Sequence, residues 1–577
     1  MKNFYSMKKR KTLNIGCSDF KQMISHQHYY VDKSLLIQEV IENEASVLLL
    51  PRPRRFGKTL NLSMLRYFFD NSDADYQNLF TELKIWNTPI EIKEKQGKYP
   101  VIFLSFKDIK EENWNQCLGI FKTLLSDLYE KYLFLLNSDC LTDNEKLFYK
   151  KIASNNADII DYQISIKKLS EYLYRYHKTE VVILIDEYDT PILHGYKKYY
   201  GEVISFVRNM LSGAFKDNSF LYKGVISGIL RVSKETIFSG LNNISVHSIL
   251  DYNFSDKFGF VEEEVKQILE DFELTNHYEQ IKSWYNGYQI GKTTSIYNPW
   301  SIINYAVRYQ EGFKPYWVNT SSDELLRERI NESDADKTRF LLQKLMNNEI
   351  IEKEIDENFV FPDLNTNKEL LWTLLTFGGY LTVVEQININ TYKLRIPNYE
   401  LKFVFKNIIL KWLTIEIQIQ KSLLQDTTNY LINNEIDKFE EGFKQIMGDT
   451  FSYFDSKGDS ERIYQSYVLG LLAIVGDHYI IKSNRESGEG RYDIMLIPHD
   501  KTKFGIVIEI KQIDKIANEK ENKFHKRVNS KITEALSQIE NNKYYNELIA
   551  HKIEKIIKLP IVFVGKEPYI LKFKGTL

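Results

Sequence analysis

The stretch from Ala45 to Phe68 restricts the fold most. Ala45-Ser-Val-Leu-Leu-Leu50 is a short apolar run that reads as a buried parallel strand. Arg52-Pro-Arg-Arg-Phe-Gly-Lys-Thr59 follows, and then Leu60, Leu62, Met64, Leu65 and Phe68 supply the apolar side of a helix. Strand, loop and helix in this order let backbone N–H groups and a helix N-terminus converge on phosphate oxygens. The loop ends with Gly57-Lys58-Thr59, the second half of the G-x-x-x-x-G-K-[ST] pattern, but Arg52 stands where the first glycine belongs. That glycine mainly eases a turn, which Pro53 can set differently, whereas Gly57 lies where backbone and phosphate meet. Phe56, Gly57, Lys58 and Thr59 are therefore candidate nucleotide contacts. Arg54 and Arg55 have two open readings: neutralising a terminal phosphate beside Lys58, or anchoring the loop on an acid such as Asp32.

A second element supports the first. Glu180-Val-Val-Ile-Leu-Ile-Asp-Glu187 is an apolar strand ending in two carboxylates. Asp186 is placed to enter a Mg²⁺ shell with Thr59, and Glu187 to orient and deprotonate an attacking water. Tyr99–Ser105 and Leu221–Gly228 fit the same sheet. Ser227, at the end of the latter, is a candidate γ-phosphate sensor. Arg231 is a candidate to reach the phosphates or a neighbouring subunit. Their plainer alternatives are a strand-end turn and a surface arginine.

Tyr30-Val-Asp-Lys33, Arg52–Thr59, Ile185-Asp-Glu187, Phe238-Ser-Gly-Leu-Asn-Asn243, Phe258-Gly-Phe260, Trp284-Tyr-Asn-Gly-Tyr288 and Tyr297-Asn-Pro-Trp300 together resemble the AAA-ATPase-like group with arginine-rich Walker A loops. The resemblance covers roughly the first 320 residues. It implies that the arginine-rich loop is a real ATP site. Ser227 stands where the pattern favours threonine, and the hydroxyl is kept.

The middle of the chain reads as mostly helical, with a strand pair at Tyr380–Val384 and Tyr392–Ile396. A winged-helix-like or lid module packed on the ATPase core is expected in preference to one that binds DNA. Trp284, Tyr285, Tyr288 and Trp300 are expected in the core or an interface more than stacked on bases. Tyr399 to Phe443 reads as a helical connector. No apolar run is long enough for a membrane span, no secretory signal is expected, and Cys17, Cys117 and Cys140 are too scattered for a disulfide or metal framework, which points to a reducing cytoplasm.

From Lys501 onward there are 16 Lys+Arg against 9 Asp+Glu, in a chain of net charge −2. A basic C-terminal end suits a nucleic-acid partner. Gly490–Ile497 and Phe504–Lys511 read as two strands joined by a turn. Alternation puts Val507, Glu509 and Lys511 on one face, and Ile506, Ile508 and Ile510 on the other. Charges on an otherwise apolar strand need a purpose. With Asp493 on the partner strand, two carboxylates can hold Mg²⁺ while Lys511 steers or activates a water; the plain alternative is a salt bridge on a half-exposed hairpin. Asp493, Glu509-Ile-Lys511 and the helix Glu534–Tyr544 resemble the PD-(D/E)XK nuclease superfamily. That resemblance implies a supporting role for Gln538 and a further carboxylate in Glu461.

The expected architecture is α/β: a P-loop parallel-sheet domain (1–250), a helical or winged-helix-like module (251–400), a helical connector (401–447) and a restriction-endonuclease-like domain (448–577). The expected function is ATP binding and hydrolysis coupled to Mg²⁺-dependent DNA cleavage, with Mn²⁺ also able to serve the nuclease site. The rival readings are a STAND-like signalling ATPase, or a scaffold whose C-terminal domain binds nucleic acid without cutting. A homo-oligomer stays among the options.

Overall fold

The computed structural model describes residues 11–570 apart from 73–74, 231–242, 318–334, 347, 360, 416–419, 452–467, 469–471, 473–474, 476–477, 488–489, 517–518 and 566. The chain divides into two compact units, residues 1–320 with 352–400, and residues 321–351 with 401–577.

In the first unit, β1 (Val47–Pro51), β2 (Val101–Ser105), β3 (Val181–Asp186), β4 (Leu221–Gly228) and β5 (Ile244–Val246) form a sheet in the order β2-β3-β4-β1-β5. All four pairings are parallel. β1 and β3 are buried at every position, as crossover helices on both faces require. Those helices include Lys58–Phe69, Trp114–Glu130, Ile159–His177 and Tyr200–Phe215. β4 lies between β1 and β3, with Leu50 opposite Ser227 and Ile185 opposite Ile226. The carboxyl ends of the three strands therefore emerge side by side, which is where a doubly wound sheet leaves room for a ligand. The short β5 had no legible sequence signal.

Residues 251–317 and 352–400 belong to this same unit rather than to a separate module. Helices Glu262–Asp271, Tyr278–Tyr285 and Pro299–Val307 close over a core containing Val265, Ile268, Ile281, Tyr285, Ile302 and Tyr305. Tyr285 and Tyr288 are buried, and Trp284 stacks on Phe313 at 5.6 Å between ring centres. β6 (Tyr288–Ile290) and β7 (Thr293–Ile296) form a two-stranded sheet; the expected strand pair is present as β9 (Thr382–Gln386) and β10 (Thr391–Arg395), and β8 (Ile351–Glu354) pairs with β10 to make a three-stranded sheet.

The second unit holds a mixed sheet of β11 (Tyr479–Ser487), β12 (Gly490–Pro498), β13 (Gly505–Ile513), β14 (Ile556–Val564) and β15 (Glu567–Ile570), in that order. Only β13 and β14 run parallel; the other pairs are antiparallel. Ile506, Ile508 and Ile510 face one hydrophobic cluster, while Val507 faces another with Ile539, Tyr544 and Leu548. The region read as a connector is three helices, Tyr399–Ile415, Lys421–Ile432 and Ile436–Phe451. The last two bury Leu424, Leu431, Phe439, Phe443, Ile446 and Met447 against the sheet. An apolar stripe at helical spacing needs a partner surface, and here residues assigned to a connector supply the domain core. Among the described residues no helix is long and apolar enough to cross a membrane.

Candidate active sites

At the end of β1 the chain turns through Gly57, whose φ of 84° is left-handed, into the helix Lys58–Phe69. A Cβ on Gly57 would meet nothing within 4 Å, so open space lies beside this helix N-terminus. Lys58 is buried; its Nζ donates to the carbonyls of Arg52 (3.2 Å) and Pro53 (3.1 Å) and stands 3.6 Å from the Glu187 carboxylate. The Thr59 hydroxyl donates to Asp186 Oδ2 at 2.7 Å. Asp186 is fully buried, and among the described residues its Oδ1 has no hydrogen-bond partner. Burial, then the charge of Glu187, pushes its carboxyl up to about 6, against the pull of Thr59 and Lys58. Glu187 itself has a left-handed φ of 53° and accepts from the Thr190 hydroxyl at 3.3 Å. Ser227 is fully buried, and its Oγ has no partner among the described residues.

The bare Asp186 oxygen beside the Thr59 hydroxyl is a donor set that fits Mg²⁺, a hard cation taking oxygen ligands. A cavity of about 370 Å³ runs along Arg55–Asn61 and Glu187 and is also lined by Tyr30, Val31, Phe260, Ile268, Trp300 and Ile303. Lys58, Thr59 and Glu187 thus share one cavity with an apolar, aromatic wall.

The three arginines of the loop have different environments. Arg52 is fully buried and donates to the carbonyls of Pro51 (2.8 Å), His247 (2.6 Å) and Phe254 (3.1 Å), with its guanidinium 4.9 Å from the centre of the Phe258 ring. Burial pulls its pKa down to about 10, opposed by Asp251 and Glu39. It ties the loop to the chain after β5, a pillar where a first glycine would have left a gap. Arg55, with φ 65°, donates to the Tyr316 carbonyl at 2.8 Å and lies 4.2 Å over the Trp300 ring. The anchor is not Asp32, whose oxygens accept from the N–H groups of Ser34 (2.8 Å) and Lys84 (2.7 Å). Arg54 is half-buried and has no carboxylate partner among the described residues. The Phe56 ring is in the core, edge-on to Tyr288 at 5.1 Å. Arg231 lies outside the described residues.

In the second unit, the register of β12 and β13 runs to Ile494 opposite Ile508. Just beyond it, Asp493 Oδ2 accepts at 2.7 Å the backbone N–H of Ile510, the residue between Glu509 and Lys511 in the chain. Lys511 donates to Glu509 Oε1 at 2.8 Å, and Glu509 is only 2% exposed. Gln538, on the helix Glu521–Asn541, donates to the Tyr544 hydroxyl at 3.1 Å, which also receives Asn542 at 2.9 Å. Glu461 lies outside the described residues. Among the described residues no group of three or more His, Cys, Asp or Glu is arranged to hold a metal. Asp493 and Glu509 nevertheless offer oxygen donors of the kind Mg²⁺ takes.

Sequence reasoning missed Arg52 as a structural cation and Asp189, a second buried carboxylate beside Asp186 and the partly exposed Glu187. The signal for Asp189 was present, three acids within four residues at a strand end.

These two sites define an α/β P-loop-type unit followed by a mixed-sheet unit with a carboxylate–lysine cluster. Residues 14–238 match the model of a predicted AAA-ATPase family, and residues 459–573 match that of the PD-(D/E)XK nuclease superfamily. The chain thus carries an AAA-ATPase-like domain followed by a PD-(D/E)XK superfamily domain. It is 28% identical over 410 residues, 70% of each chain, to the "Uncharacterized protein in vnfD 5'region" of Azotobacter chroococcum mcd 1. The solved structure of the Walker-type ATPase PABY2304 of Pyrococcus abyssi is 14% identical, with a TM-score of 0.35, over 65% of this chain and 94% of that one; a likeness so loose carries no argument.

Proposed function

We propose that the first unit binds and hydrolyses ATP and that the second cleaves DNA with Mg²⁺, Mn²⁺ being an alternative ion, under control of the nucleotide. The observation carrying this reading is the meeting of Lys58, Thr59, Asp186 and Glu187 at the ends of β1 and β3. Lys58 and the N–H groups after Gly57 bind the phosphates, and Glu187 takes the proton of the attacking water. A cation held by Thr59 and Asp186 would neutralise charge on the phosphate oxygens. In the second unit, Asp493 and Glu509 would hold the cation that lowers the pKa of the attacking water, while Lys511 stabilises charge on the phosphodiester. Free thiols at all three cysteines support a cytoplasmic setting.

The test is ATP turnover and plasmid nicking by the full chain with Mg²⁺ or Mn²⁺. Asp493→Ala is expected to end cutting and leave ATP turnover intact. Cutting that survives this change sinks the nuclease assignment, and DNA retention without cutting by the parent supports the binding-only rival.

A further inference from the structure

Asp189 is fully buried three residues beyond Asp186, and the nucleotide reading leaves it unused. Its Oδ2 accepts two backbone N–H groups, Ile229 at 2.8 Å and Leu230 at 2.9 Å. Tyr188 adds two more ties between the same segments: its N–H donates to the Ser227 carbonyl at 3.1 Å and its phenol to the Leu230 carbonyl at 2.7 Å. The loop bearing Glu187 is thereby stitched to the turn that follows Ser227. Gly228 is forced at this seam, because a Cβ there would lie 2.7 Å from both Asp189 Oδ1 and the Tyr188 ring. Glu187 holds a left-handed backbone that side-chain-bearing residues adopt only when their surroundings impose it.

Among the described residues Asp189 Oδ1 has no partner. Burial, and then the nearby Glu187, push this carboxyl up to about 6. A buried acid with a bare oxygen beside other acids is destabilising on its own, so the two N–H groups it holds mark a place where the chain must be fixed.

We propose that Asp189 is a positioning residue for hydrolysis, locking the Glu187 loop to the strand end that carries Ser227 so that the water-activating acid and the phosphate-facing hydroxyl move as one body. This rests on the ATPase reading above.

Three variants of the full chain test it. Asp189→Asn keeps an acceptor for both N–H groups, Asp189→Ala removes it, and Gly228→Ala pushes on the seam from the opposite side. Nucleotide Kd, kcat and Tm are measured for each. A misplacement of about 1 Å is worth roughly 100-fold in rate, so Asp189→Ala and Gly228→Ala should lose kcat on that order with Kd within about threefold. Asp189→Asn should recover much of the loss. An Asp189→Ala protein with parental kcat overturns the inference, as does a loss in which affinity, Tm and kcat fall together and asparagine rescues nothing. If Asp189→Ala does not fold, the asparagine and Gly228→Ala proteins decide by the same criteria. A parent that binds ATP but never turns it over defeats the ATPase reading and this inference with it. A parent that turns over alongside unaffected variants defeats the inference alone.

Discussion

Lys58 and Lys511 each stand beside a carboxylate, yet their hydrogen bonds go to different places. Lys58 donates to two neutral backbone carbonyls and keeps Glu187 at 3.6 Å. Lys511 is bonded directly to Glu509 at 2.8 Å. A cation held by carbonyls keeps its charge for an incoming anion, whereas one in contact with a carboxylate is already neutralised. Under the proposed function the first cluster suits phosphate, and in the second a cation at Glu509 would weaken the pair with Lys511 and release the lysine.

The largest effects should come from removing each lysine. Lys58→Ala should weaken ATP binding by at least about 100-fold, since a charge-assisted hydrogen bond contributes roughly 1.5–3 kcal/mol and several converge here. Lys511→Ala should leave Mn²⁺ affinity equal or raised while DNA cleavage falls roughly 100- to 1,000-fold. Calorimetric titrations with ATP and Mn²⁺ beside nicking rates check both. Lys511→Ala protein that loses metal affinity breaks the contrast, because it would make the lysine a support for the ion site rather than its competitor.

The same two regions differ in how much of them the sequence discloses. β1 and β3 are short apolar runs with charge only at their ends, so strand, loop and acid pair are legible together. The faces of β13 are equally legible, because Ile506, Ile508 and Ile510 alternate with Val507, Glu509 and Lys511. What stays hidden depends on partners distant in sequence. Arg52 reads only as a departure from the glycine pattern until the carbonyls of His247 and Phe254 are seen around it. Arg55 keeps both its readings, phosphate contact or loop anchor, until Tyr316 and Trp300 are seen to hold it. The helices after Lys421 read as a connector because nothing local shows which sheet receives Phe439 and Phe443.

A second contrast concerns buried acids. Glu509 has Lys511 beside it, whereas Glu400, equally buried, accepts among the described residues only from neutral donors, including the Ser301 hydroxyl at 2.8 Å and the Trp317 N–H at 2.7 Å. Burial raises its carboxyl to about 7, with Arg55 pulling weakly the other way. The folded state therefore holds a proton that the unfolded chain has released, across the window from the ordinary carboxyl value of 4.5 up to about 7. Stability falls as pH rises through that window and levels off above it, by about 3 kcal/mol from this group. Denaturant unfolding at pH 5 and pH 8 should show this loss in the parent and a flatter profile in Glu400→Gln; an identical slope in both removes Glu400 from the account.

The smallest expected effects separate the polar residues flanking each site. Ser227 Oγ is buried without a partner among the described residues, so Ser227→Ala deletes an unsatisfied group that costs about 1–3 kcal/mol. Its Tm should hold or rise while kcat for ATP drops about 3- to 10-fold, as expected when one hydroxyl facing a transferred phosphate is lost. Gln538 is engaged with the Tyr544 hydroxyl, which keeps Asn542 at 2.9 Å when the amide is removed. Gln538→Ala should therefore lower stability by less than about 1 kcal/mol and slow cleavage only a few-fold. A Ser227→Ala protein that loses stability without losing turnover would mean that its hydroxyl serves the fold, and the side-by-side emergence of β1, β4 and β3 would then carry no sensing role.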